Sequence, residues 1–277
     1  MTSAAIEALL KRDRLIVAAA LAVLTVLAWI YLFRVAGAMT MPVSSMPDMP
    51  DMPDMPGMDM GAATAPMLRA WTAWDFTFMF AMWAVMMVGM MTPSVAPMIL
   101  IYARVARQSA LAGKPLAATG WFAGGYLLSW TAFSLAATLA QFILERAAWL
   151  TPMMSAASDR IGGAVLIAAG VYQWTPLKDS CLQQCRAPLA FIQHHGGFKR
   201  DAAGSLQLGL RHGLYCIGCC WLLMALLFAG GVMNVVWIAA IAIFVLIEKI
   251  VPSGRMIARI AGAGFLTAGL WLIASSN

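Results

Sequence analysis

The sequence predicts an all-α fold, a polytopic bundle of about seven transmembrane helices with a cytoplasmic N-terminus. Three observations lead there. Apolar residues make up 62% of the chain and charged residues only 11%, against about a quarter charged in a soluble domain. The apolar residues gather in runs long enough to cross a bilayer. The basic residues fall in short clusters between alternate runs, as the positive-inside bias requires. The net charge of +6 is thus a topological signal. No basic stripe with interleaved aromatics is present, which argues against a nucleic-acid partner.

Lys11-Arg12-Asp13-Arg14 precedes the first run, Leu15 to Phe33. Ala36-Gly37-Ala38 resembles a signal-peptide cleavage site, but signal h-regions usually run only about 7–15 residues. An uncleaved anchor is the expectation, so residues 1–36 form a cytoplasmic N-terminus and anchor helix. Residues 37–70 form an extracytoplasmic tail in which Met-Pro-Asp repeats with period three from Met46. Proline at every third position forbids a stable helix, so this tail is expected to be extended and disordered. Its thioethers are soft ligands that survive in an oxidising compartment; a low-complexity spacer is the bland alternative.

Residues 71–277 are expected to form a six-helix membrane domain. The second span, Trp71 to Tyr102, carries a methionine stripe: Met86 pairs with Met90 at a spacing of four, as Met87 does with Met91. Pro93 and Pro97 are expected to break this helix and free backbone carbonyls. Methionine in a bilayer is ordinarily flexible packing; a thioether relay is the functional alternative. Span three runs from Leu116 to Leu144 and span four from Ile161 to Leu177. Lys178 to Ser205 reads as a cytoplasmic loop in which Cys181 and Cys185 would face one way on a helix, able to grip one ion or meet further thiols. Span five, Leu206 to Phe228, holds Cys216, Cys219 and Cys220. Extension by fours adds His212 and Met224, but the helical rise puts these two roughly 18 Å apart, too far to share an ion. Span six, Met233 to Ile247, ends in Glu248-Lys249, where an ion pair of Glu248 with Lys249 or Arg255 is expected. Ile257 to Ile273 is the last span.

Several of these motifs occur together and in order: Met90-Met91-Thr92-Pro93 through Pro97-Met98, Asp179 with Cys181 through Cys185-Arg186, Gly218-Cys219-Cys220-Trp221 with Met224, and Glu248-Lys249 with Pro252. On these residues the chain resembles a family of bacterial integral membrane proteins of unknown function, described as predicted metal-binding. The resemblance covers about Trp71 to Ile273. It implies an all-helical membrane fold in the bacterial inner (plasma) membrane and a metal site at the cysteine pairs.

The function expected is the handling of a soft cation, Cu(I) ahead of Zn, for binding, delivery or transfer across the membrane. The candidate ligands are Cys181, Cys185, Cys216, Cys219, Cys220, Met224, Met86, Met87, Met90 and Met91. Besides lipid and the metal ion, a metallochaperone or a metalloenzyme is the expected partner. Two alternatives stand beside it: a membrane thiol-redox enzyme using Cys219 and Cys220, and a helical assembly subunit for a metalloenzyme. Vicinal cysteines on a helix disfavour the redox enzyme, because disulfide geometry is demanding. No phosphate-binding glycine loop, catalytic carboxylate pair or Ser-His-Asp set is visible, which argues against ATP-driven pumping by this chain alone; an enzyme is not the favoured reading.

Overall fold

In the computed structural model, which describes residues 3–39, 71–151 and 154–276, the described residues form nine helices and no strand; an isolated bridge joins Leu150 to Ala156. The Met-Pro-Asp repeat lies outside the described residues.

Helix α1 (Ser3–Met39) contains the apolar segment Leu15–Gly37 and packs on α2 (Ala73–Leu111). Thr72 and Asp75 close a capping box at the start of α2. This helix runs unbroken through Pro93 and Pro97 for 39 residues, contrary to the expected break. Each proline deprives one carbonyl of its helical partner, those of Gly89 and Pro93, and packing against the rest of the bundle carries the helix through; hydroxyls bond other carbonyls of the same stretch. Thr92 donates to Val88 at 2.6 Å, Ser94 to Met91 at 2.9 Å, and Tyr126 to Met91 at 3.3 Å.

Helices α3 (Thr119–Arg146) and α7 (Ala202–Gly230) cross most extensively. Glycine sets their separation: a Cβ on Gly125 would lie 2.1 Å from the Leu206 carbonyl oxygen, and one on Gly209 would lie 2.0 Å from that of Phe122. The same device joins α4 (Asp159–Tyr172) to α9 (Gly254–Ser275) through Gly163 and Gly269. Small residues allow this approach where lipid offers helices no hydrophobic drive to associate.

Among the described residues five helices, α1, α2, α3, α7 and α9, are long and apolar enough to cross a membrane. The two other expected spans correspond to α4, with 14 residues, and α8 (Val235–Ile250), with 16. At the helical rise these reach about 21 and 24 Å, short of a hydrocarbon core of about 30 Å.

The expected loop after residue 178 is largely helical instead. Thr175 caps α5 (Pro176–Arg186), with proline at the first position, Asp179 in the first turn and Arg186 in the last; each is favoured by the unpaired groups and dipole of a helix end. Pro188 opens the short α6 (Pro188–His194), which buries Phe191 and Ile192. The polar composition suggested a loop, but α5 is amphipathic and lays one face on α7.

Candidate metal centre

The cysteines of α5 and α7 meet. Cys181 packs against the bare backbone of Gly218, where a Cβ would lie 2.8 Å from its sulfur. Burial, then the neighbouring Cys219, pushes the Cys181 thiol above its ordinary range. Hydrogen bonding to Cys216, and next to Cys219, pushes the Cys185 thiol well up. Cys216, Cys219 and Cys220 are almost wholly enclosed. The thiols of Cys219 and Cys220 donate to the Cys216 carbonyl at 3.0 and 2.9 Å, which tilts both side chains back along the helix. All five cysteines are free thiols.

Charged groups close around this sulfur cluster. The Lys249 ammonium donates to the Cys216 sulfur at 2.8 Å and to the Ser94 hydroxyl at 3.1 Å. The Tyr126 hydroxyl lies 3.2 Å from the same sulfur. Glu248 takes neither expected partner. Both its oxygens accept from Lys178 at 2.9 Å, in a pair with each side chain only 1% exposed. Lys178 lies in the first turn of α5, so the turn that places Cys181 also brings the cation to Glu248. Asp179 holds Arg255 and Arg259 of α9 at 3.4 and 3.2 Å. Arg186 donates to the carbonyls of Val251 and Pro252. The α5 helix is thereby pinned at both ends against the junction of α8 (Val235–Ile250) and α9.

Met224, Met86, Met87, Met90 and Met91 are all buried, none more than 2% exposed. They share one apolar core with the thiols. Tyr126 links the two sets, touching the Met91 carbonyl and the Cys216 sulfur. Met79, further along the stripe, accepts at sulfur from Gln141 at 3.8 Å.

Among the described residues no three His, Cys, Asp or Glu side chains form a ready-made metal-binding group. The thiols are engaged with Lys249, Tyr126 and the Cys216 carbonyl, so an incoming ion has to displace those partners. The donor chemistry itself suits a soft metal: thiols surrounded by apolar side chains, with thioethers in the same core.

Sequence reasoning missed Tyr126, Ser94 and Lys178. Each is ordinary in its local context, a polar residue in or beside an apolar helix. Tyr172, which donates to the Gly218 carbonyl, was equally silent.

No curated protein and no solved structure matches the chain. A family model described as PpoB2, a copper chaperone, matches residues 80–272. That stretch contains all five cysteines and reaches from α2 to α9, in agreement with the resemblance to metal-binding proteins. The chain belongs to the PpoB2 copper chaperone family.

Proposed function

We propose that this protein is an integral membrane copper chaperone of the bacterial inner membrane that holds Cu(I) at the thiols between α5 and α7 and delivers it to a metalloenzyme or a metallochaperone. One observation carries the proposal: cysteines distant in sequence converge on one buried place in a chain that belongs to a copper chaperone family. Cys181, Cys185, Cys216, Cys219 and Cys220 supply the thiolates, and Met86, Met87, Met90, Met91 and Met224 line the apolar approach. The Lys249 ammonium holds Cys216 while no ion is present. A cation that takes Cys216 displaces that ammonium, and Ser94 retains it.

The basic clusters support seven spans with the N-terminus in the cytoplasm, counting α4 and α8 as crossing, and place the Met-Pro-Asp tail outside as a collector. Cu(I) is favoured over Zn because thioethers accompany the thiols in this core, and thioether suits the softer ion.

The test is anaerobic competition for Cu(I) against a chromogenic chelator, using detergent-purified protein and a variant with Cys181, Cys185, Cys216, Cys219 and Cys220 all replaced by serine. The wild type is expected to strip copper from the chelator and the variant to lose that ability. Equal binding by both would remove the thiols from the function.

A further inference from the structure

His212 is the one histidine that the chain buries deeply among its described residues, at 3% exposure, and its Nδ1 has no hydrogen-bond partner. Buried polar atoms are almost always paired, so this orphan asks for a cause. Its ring sits among those of Phe122, Tyr126 and Phe191, with centroids 6.0, 6.0 and 4.9 Å away. Tyr126 is also the residue whose hydroxyl meets the Cys216 sulfur. The imidazole and that thiol therefore share a wall.

The register of α7 brings them closer still. His212 and Cys216 are four apart, and such side chains have Cβ atoms about 5–6 Å from one another. Helical side chains lean toward the N-terminus, so Cys216 covers the turn from which His212 projects. Cys219 and Cys220 lean the same way, as their bonds to the Cys216 carbonyl show. With its proton on Nε2, the imidazole presents a lone pair from Nδ1 in this apolar cage. Imidazole and thiolate both suit copper, and a two-coordinate ion needs only one of each.

We propose that His212 and Cys216 form a second Cu(I) position, with nitrogen and sulfur ligands, one helical turn before the all-sulfur cluster. Cys216 is then the ligand common to both positions, and an ion passes between them by exchanging His212 for the thiols of Cys185, Cys219 and Cys220. This proposal rests on the copper-binding function above, and deepens it.

The test is copper K-edge X-ray absorption on full-length, detergent-purified protein loaded anaerobically with cuprous ion to saturation. His194→Ala and His195→Ala are introduced first, so that His212 is the remaining imidazole. The expected spectrum shows sulfur neighbours together with the outer-shell scattering of an imidazole ring. Adding His212→Phe, which keeps an aromatic ring in the cage, is expected to abolish the imidazole scattering, to retain the sulfur, and to weaken the second equivalent of copper about tenfold or more. Sulfur scattering alone in the His194→Ala, His195→Ala protein overturns the proposal and leaves the thiol cluster standing. So does a His212→Phe variant that binds both equivalents unchanged. Should His212→Phe fail to fold, the spectrum of the His194→Ala, His195→Ala protein decides the matter by itself. Failure to retain any copper sinks the thiol cluster and the second position together.

Discussion

Lys178 and Glu248 form a contact that is costly to disturb. Both are stripped of water, and both carboxylate oxygens are used by one ammonium. Removing one partner of such a pair leaves a buried charge and costs about 3–5 kcal/mol, whereas replacing both by apolar residues of similar volume is often neutral. Glu248→Leu is therefore expected to lower stability by about that amount, and Lys178→Met with Glu248→Leu by much less. Denaturation in mixed micelles checks the ordering; equal losses would mean that the pair is not a unit. The raised thiols of α5 also set the pH dependence of their own reactivity. A thiol held above its ordinary range is protonated at neutral pH, and the thiolate is the nucleophile. Alkylation of Cys185 in the metal-free protein should be slower at pH 7.5 than that of a peptide thiol. It should still climb about tenfold per pH unit where a free thiol begins to level off. A plateau at or below the ordinary thiol range would contradict the hydrogen bonding described for Cys185.

Helix against helix, the crossing of α3 and α7 fixes the depth at which the α7 cysteines lie. Gly124 and Gly125 are neighbours in sequence but differ sharply in surroundings. A Cβ on Gly125 runs into the Leu206 backbone, whereas one on Gly124 meets only a Leu206 methyl at 3.9 Å. Gly125→Ala should drive the helices apart and lower the thermal midpoint of the detergent-purified protein by several degrees or more. Gly124→Ala should stay within about 0.5 kcal/mol of the parent, the usual range for a substitution away from such a feature. Similar behaviour in both would show that the crossing is looser than described. Much of this level was legible in advance: apolar length and flanking charge marked α1, α2, α3, α7 and α9. What was not legible was α5, because its charged and polar residues resemble a loop until α7 and α9 are there to bind them. The continuity of α2 past Pro93 and Pro97 was hidden for a similar reason. It rests on packing against α1 and α3.

Across the whole molecule, the sulfur pattern pointed to the cysteines as candidate ligands but not to the charges that accompany them. Spacing of four put Cys181 with Cys185 and Cys216 with Cys220 in pairs, and folding brought the pairs together. No periodicity connects Lys249 to Cys216 or Lys178 to Glu248, since those partners belong to different helices. The proposed topology can be tested as well. Seven spans put the turn between α8 and α9 on the cytoplasmic side, whereas a short α8 that fails to cross would leave it outside. Ser253→Cys, exposed in that turn and placed in a chain whose five natural cysteines are serine, should react with a membrane-impermeant maleimide only after the cells are opened. Labelling of intact cells would reduce the number of spans.

Thiols from α5 and α7 are proposed to hold one ion jointly. Peptide-resolved alkylation with and without one equivalent of cuprous ion, under anaerobic conditions, measures this directly. Copper should protect Cys181 or Cys185 together with Cys216, Cys219 or Cys220, in the same molecules and over the same titration. Protection confined to one helix, or none at all, would contradict it.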